Sequence, residues 1–162
     1  MSFAIVEFFI SFFLFNQFKS DYLWISFLLF LPLSLIGLGI RLGAFYTARN
    51  NFHHQIRFGE EPGHKLIRSG LYKYERHPGY LGFFIYSINC QFMILNFISG
   101  FLFIIILWIF FKRRILIEEK YLVKIFGEEY LNYMEKTRTN IPFIESYSYK
   151  EIYKRYIRMK KW

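Results

Sequence analysis

Arg76-His77-Pro78-Gly79-Tyr80 is the stretch of the chain best suited to doing chemistry. Proline fits the first turn of a helix, where its missing N–H costs nothing, and it pushes the preceding residue out of the helical region. His77 is therefore expected at the mouth of a helix, beside the N–H groups of the first turn and the positive end of the helix dipole. Such a terminus suits a carboxylate or a phosphate. On spacing alone the plainer reading is favoured, in which Arg76 and His77 mark a membrane interface. A second constellation, Lys112-Arg113-Arg114-Ile115-Leu116-Ile117-Glu118-Glu119, puts Arg114 and Glu118 four residues apart and hence on one helix face. An ordinary surface pair flanked by snorkelling basic side chains gives the same pattern, although arginine before glutamate is the less favourable order for such a pair. His53 and His54 are adjacent, so they lie on different faces of any helix, and with His64 they make no metal-binding spacing. The single cysteine, Cys90, excludes a disulfide framework and a cysteine-based metal site, and within a long apolar run it reads as a packing residue.

The elements that must hold these residues follow from how apolar and charged residues are segregated. The chain has 162 residues, 54% of them hydrophobic and 23% aromatic, yet a formal net charge of +9 and a mean hydropathy of +0.22. Tyr22 to Ile40 is a run of 19 residues without a charge, and Gly79 to Phe111 is a run of 33. Runs of that length read as membrane spans and exclude a soluble domain, a secreted disulfide scaffold and a disordered chain. The longer run exceeds one crossing, since about 20 residues at about 1.5 Å each span the hydrocarbon. Asn96, followed by Ser99 and Gly100, is the natural place for a tight reversal. The expectation is an all-α integral membrane protein of four spans, about 1–18, 22–46 and a helical hairpin of 79–95 and 97–117, in a single domain over 1–162. The first segment, interrupted only by Glu7, lacks a basic leader and a small-residue cleavage site, so it reads as a retained span.

Orientation follows from the basic residues. Nineteen of the 21 Lys and Arg fall in 47–77 and 112–162, and only Lys19 and Arg41 lie elsewhere. By the positive-inside rule both segments are cytosolic, as is the N-terminus. Anionic lipid head groups account for the basic excess, and no nucleic-acid-binding motif accompanies it. After the fourth span, apolar residues at Tyr121, Leu122, Ile125, Phe126, Leu131 and Met134 predict an amphipathic helix over 118–136, stopped by Pro142.

Taken together, these elements resemble one family. Gly70-x-Tyr72-x4-His77-Pro78-x-Tyr80, a helical hairpin, Arg114-x3-Glu118-Glu119, Phe126-Gly127-Glu128-Glu129-Tyr130-Leu131-x-Tyr133 and Ile141-Pro142-Phe143 are similar to the isoprenylcysteine carboxyl methyltransferase family, over about residues 41–145. Asn51-Phe52-x-His54 and His64-Lys65-Leu66-Ile67 belong to the likeness. The His-Pro and Glu-Glu elements also occur in related phospholipid methyltransferases and sterol reductases; the Phe-Gly-Glu-Glu-Tyr-Leu and Ile-Pro-Phe-Ile tail is more specific. The resemblance implies an integral membrane enzyme, of the endoplasmic reticulum in eukaryotes, with a cytosolic cofactor pocket. It implies that S-adenosylmethionine methylates the C-terminal prenylcysteine carboxylate of CaaX-processed proteins. Carried over by position, it assigns the cofactor to His64, Lys65, Leu66, Ile67, Tyr72, His77, Pro78, Gly79, Tyr80 and Glu118, and the substrate carboxylate to Arg114. Arg57 joins the cofactor set where the animal enzymes have a glutamine, and Arg114 and Glu118 are the expected catalytic pair. The four-span core is expected without the extra N-terminal spans of the animal enzymes. Two alternatives stay open: a phosphatidylethanolamine N-methyltransferase, whose amine acceptor needs a base, and a non-catalytic membrane scaffold. The terminal Met159-Lys160-Lys161-Trp162 is not a CaaX box, so the chain is not expected to be a prenylated client itself.

Overall fold

A computed structural model describes residues 2–48, 65–142 and 144. The apolar runs fold into α1 (Ser2–Leu14), α2 (Asn16–Ala48), α3 (Pro78–Met93) and α4 (Phe97–Phe126), and a short α5 (Glu128–Lys136) follows. A 3-10 turn over Gly70–Lys73 precedes α3, and the β structure among the described residues is one isolated parallel bridge between Glu75 and Arg138. The chain divides into two compact units, Met1–Arg41 with Tyr80–Ile109 and Leu42–Gly79 with Phe110–Trp162.

Helix boundaries depart from the expected ones at two places. The break between α1 and α2 falls at Phe15, and the polar run Lys19-Ser20-Asp21 lies inside α2. Lys19 is buried and its ammonium donates to the Ile94 carbonyl and to Asn96 Oδ1 in the same unit, so it has no need of a loop. At the other end, no boundary occurs near 117–118: α4 runs on to Phe126, and the amphipathic segment is split at Gly127. Gly127 sits at φ 56° and ψ −127°, a backbone conformation that favours glycine, and this ends one helix and starts the next.

The first unit contains the expected reversal. The chain leaves α3 through a Schellman turn, in which Leu95 N–H donates to Phe92 O and Asn96 N–H to Gln91 O, both at 2.9 Å. This turn needs a left-handed residue, and Leu95 takes that role at φ 58° while its side chain is buried. Several further polar groups of the reversal are satisfied from α1 and α2, although Gln91 Oε1 and Ser99 Oγ are buried without a hydrogen-bond partner among the described residues. Ser26 Oγ donates to Phe92 O at 2.7 Å, and Lys19 Nζ donates to Ile94 O at 3.1 Å. Asn96 Nδ2 donates to Ala4 O at 2.9 Å. Glu7, which looked in the sequence like an interruption of an apolar segment, accepts from the first-turn N–H groups of Ile98 at 2.9 Å and Ser99 at 2.7 Å. Its carboxylate therefore caps α4 and complements the dipole there. Farther along, α2 and α3 approach backbone to backbone. A Cβ on Gly82 would lie 2.6 Å from Arg41 N and from Gly37 O, and one on Gly37 would lie 2.6 Å from Tyr86 N. Small residues at such crossings are how helices pack in lipid. Cys90 is half-buried, with its sulfur 3.8 Å from Ser34 Oγ, a packing position.

Among the described residues one helix, α2, is long and apolar enough to cross a bilayer by length and composition, and α1 is a shorter apolar helix. Phe13, Trp24 and Leu28 are each about three-quarters exposed, at 76%, 76% and 74%. Apolar surface of that kind calls for a non-aqueous neighbour. Replacing Glu7 by Ala uncaps α4 and is expected to cost about 0.5–2 kcal/mol, the usual range for an N-cap. Denaturation in detergent micelles measures it, and an unchanged midpoint would mean that the cap contributes nothing there.

Candidate active site

The second unit packs α4 and α5 against the segment that leads into α3. Phe111, Ile115, Glu119 and Val123 recur at every fourth residue of α4 and are all buried. Val123 joins Tyr130, Leu131, Tyr133 and Met134 of α5 in an apolar cluster, with Leu66, Leu116, Leu122 and Phe126 packed around it. Into this stripe the sequence inserts one carboxylate. Glu119 is fully buried, and its Oε1 accepts from Arg76 Nε at 2.8 Å. The same oxygen lies 3.1 Å from His77 Nε2, and since an ionised carboxylate only accepts, Nε2 is the donor. His77 Nδ1 faces Glu118 Oε1 at 4.0 Å.

Arg76 also ties in the segment after α5. Its Nη1 donates to Met134 O and Thr137 O, and its backbone N–H donates to Arg138 O at 3.0 Å. Glu75 points the other way: it accepts from His77 N–H at 3.1 Å, and from Asn140 N–H at 2.6 Å and Asn140 Nδ2 at 2.8 Å. Tyr133 Oη donates to Tyr72 O, which fixes the 3-10 turn to α5. The approach to α3 is thus held on both sides by α4, α5 and residues 137–140.

The electrostatics are those of a buried, paired cluster. Burial by itself would push His77 down and Glu119 up. The bond between them, with the charges of Glu118 on His77 and of Arg76 on Glu119, reverses both, so His77 lies above its ordinary 6.5 and Glu119 below its ordinary 4.5. His77 therefore contributes stability that is fully present below pH 6.5 and is lost as pH rises through its raised value. Glu119 contributes stability present above pH 4.5 and lost as pH falls through its lowered value. Burial, partly opposed by the bonds from Asn140 and His77, pushes Glu75 up. Burial and the charge of Glu118 push the Tyr72 phenol up to about 12.

The second unit thus brings together a buried histidine at a helix mouth, two successive glutamates on the facing helix and a tyrosine under the charge of the more exposed one. Residues 29–124 match the model of the isoprenylcysteine carboxyl methyltransferase (ICMT) family. The chain belongs to that family. It is 42% identical over 145 residues to a probable protein-S-isoprenylcysteine O-methyltransferase of Oryza sativa subsp. indica, covering 90% of this chain and 75% of the relative. It is 43% identical over 112 residues to the protein-S-isoprenylcysteine O-methyltransferase of Saccharomyces cerevisiae, covering 69% and 47% respectively. Among solved structures it is similar to the eukaryotic intramembrane Ras methyltransferase ICMT, with a TM-score of 0.83 and 36% identity over 88% of this chain and 50% of that one. The chain thus spans about half the length of the yeast relative and of that structure. Likeness to an intramembrane member supports an all-helical integral membrane protein.

The residues singled out by family resemblance are distributed as follows. Pro78 is the first residue of α3, as expected, and His77, Pro78 and Gly79 are buried. Tyr80 is half-buried on the first turn of α3. Tyr72 is half-buried in the 3-10 turn, and Leu66 packs on the apolar cluster. Ile67 is half-buried and Lys65 exposed. Arg114 lies one turn before Glu118 on α4, half-buried, its guanidinium 6.0 Å from the Phe110 ring centroid. Arg57 and His64 lie outside the described residues. Sequence reasoning missed Glu119, Arg76 as an ion partner, Glu75 and Asn140. For Glu119 a signal was present, because a charged residue in phase with Phe111, Ile115 and Val123 belongs to a buried stripe. For the others, partners 43 residues apart for Arg76 and Glu119 and 65 for Glu75 and Asn140 leave no local pattern.

Glu119→Ala leaves Arg76 buried without its counter-charge, and a loss of about 3–5 kcal/mol is expected. Removing both, as Arg76→Met with Glu119→Leu, should cost well under the sum of the single changes. Denaturation of the four proteins in one detergent gives the comparison, and strict additivity would mean that the two side chains do not interact.

Proposed function

We propose that the protein is an S-adenosylmethionine-dependent methyltransferase that esterifies the C-terminal carboxylate of a prenylcysteine on CaaX-processed proteins. Family membership carries this, and the geometry of the second unit agrees with it. The donor set fits the methyl donor. The N-terminus of α3, with a buried His77 biased toward its cationic form, suits the carboxylate of an amino acid. Glu118, whose side chain is 29% exposed and so accessible, suits the ammonium or the ribose hydroxyls. Tyr72 and Tyr80 offer aromatic faces for an adenine or a sulfonium. We place Lys65, Leu66, Ile67 and Gly79 in the same cofactor set, with Arg57 and His64 from the segment outside the described residues.

When bound, this donor supplies a methyl group on a positively charged sulfur. The acceptor carboxylate has an ordinary pKa near ~3.5 and is already ionised at neutral pH, so the chain needs no general base. Its task is alignment of the acceptor oxygen with the methyl, which can remove roughly 7–11 kcal/mol of barrier. Arg114 holds the acceptor carboxylate through a planar, two-point contact, and exclusion of water strengthens that contact. Glu118 holds the donor one helical turn away. The prenyl chain stays among apolar helices, entering from the lipid side.

In this proposal α1, α2, α3 and the first part of α4 cross the membrane. Residues 47–77 and 112–162 face the cytosol, in eukaryotes from the endoplasmic reticulum, and the basic excess meets anionic lipid head groups. Purified protein incubated with labelled S-adenosylmethionine should place base-labile label on N-acetyl-farnesylcysteine. Label on phosphatidylethanolamine alone would move the acceptor to an amine, and no cofactor binding at all would leave a membrane scaffold. Arg114→Lys keeps the charge but loses the two-point geometry, so turnover should fall at least about tenfold with cofactor affinity little changed. Near-normal turnover would remove Arg114 from the acceptor site.

A further inference from the structure

Glu119 differs from every group assigned to cofactor or acceptor above. It is fully buried, it lies within an apolar stripe of α4, and its Oε1 is engaged by the side chains of Arg76 and His77. An isolated charge there would be costly, and a buried pair is seldom worth more than a well-packed apolar replacement. Its retention therefore calls for something that an apolar side chain at 119 would not supply.

The bond to Nε2 supplies it. An imidazole has two nitrogens, and a fixed acceptor at one of them sets both ring orientation and the direction in which the other points. With Nε2 donating to Glu119, the ring presents Nδ1 toward Glu118, at 4.0 Å, a side chain that is not fully buried. Arg76 holds the same carboxylate oxygen from the second side, and is itself anchored on Met134 O and Thr137 O. The carboxylate is thus immobilised before it orients the ring. We propose that Glu119 is a positioning residue of the cofactor site, acting through His77: one shared carboxylate oxygen, held by Arg76, fixes the ring so that Nδ1–H faces the cofactor.

The charges around His77 agree in sign. Glu118 and Glu119 face it from α4, and Glu75 from the preceding segment; all three favour the imidazolium. Arg76 opposes them. The nearest titratable groups of α5 and of the 3-10 turn, Tyr130, Tyr133 and Tyr72, are all pushed upward and so stay neutral through the range of interest. Of the groups acting on the ring, burial aside, the bond to Glu119 is the strongest.

This proposal rests on the cofactor assignment above, and its test separates the two. The first measurement needs no cofactor: wild-type protein in micelles with isotope-labelled histidine, followed by NMR against pH. The His77 ring should stay protonated well above the ordinary midpoint of 6.5, with Nε2 as a bonded donor. In Glu119→Gln, which keeps the shape but loses the charge, the midpoint should fall by about one unit or more. The second measurement is S-adenosylmethionine affinity against pH for both proteins. The variant should bind about as well as wild type near pH 5.5 and about tenfold or more weakly near pH 8, because its imidazolium is lost at lower pH. The amine of the cofactor titrates in both experiments and cancels in the ratio. A loss of affinity equal at every pH would mean general damage and would overturn the proposal, as would a wild-type His77 that titrates at or below 6.5. If Glu119→Gln does not fold, the wild-type titration decides by itself. Absence of any cofactor binding by the wild type, with His77 titrating high, would instead overturn the cofactor assignment.

Discussion

A single oxygen, Glu119 Oε1, receives Arg76 Nε at 2.8 Å and His77 Nε2 at 3.1 Å, and the organisation of the second unit follows from it. Its energetics are those of a buried ion cluster, in which attraction offsets desolvation only when every partner is in place. That condition has structural consequences. Arg76 reaches this oxygen while bonding Met134 O and Thr137 O, so the end of α5 and the start of the following segment must be in register with α4. Glu75, pointing oppositely, fastens Asn140 and the backbone of His77. The segment entering α3 is therefore held from both sides, and the helix that begins at Pro78 begins at a fixed point.

Much of this was legible in the sequence, for physical reasons that are local. The start of α3 at Pro78 follows from the missing N–H of proline, and the reversal before Phe97 follows from polar and small residues inside an otherwise apolar run. Glu118 lies near enough to raise the Tyr72 phenol, and the resemblance gives both residues to the cofactor as an expectation. What the sequence hid was tertiary. Glu7 looks like a flaw in an apolar helix until the first turn of α4 is seen to end on it. Lys19 looks like the end of a span until its ammonium is found on the Ile94 carbonyl. The left-handed residue of the reversal is Leu95 rather than a glycine, and a leucine carries no turn signal. Glu119 was overshadowed by Glu118 because adjacent residues look alike in sequence, yet on a helix they are about 100° apart, enough to separate an accessible carboxylate from a buried one.

The two adjacent glutamates also divide the work by environment alone. Glu118 retains access to what lies outside the fold, whereas Glu119 is committed to the interior. In the proposed function the same chemical group serves as a ligand in one place and as internal scaffolding one residue later. Pairing of this kind explains why a motif of two identical residues is not redundant, and why exchanging the two roles by shifting the register of α4 one residue would abolish both.

The cap on α4 has a consequence for how the chain is assembled. Residues 92–99 contain backbone groups that an apolar medium cannot solvate, and the side chains that satisfy several of them, Glu7, Lys19 and Ser26, are made 66 to 92 residues earlier. The reversal is therefore complete only when α1 and α2 are there to receive it, and the order in which the chain is made, donors and acceptors first and hairpin second, is the order in which these few hydrogen bonds can form.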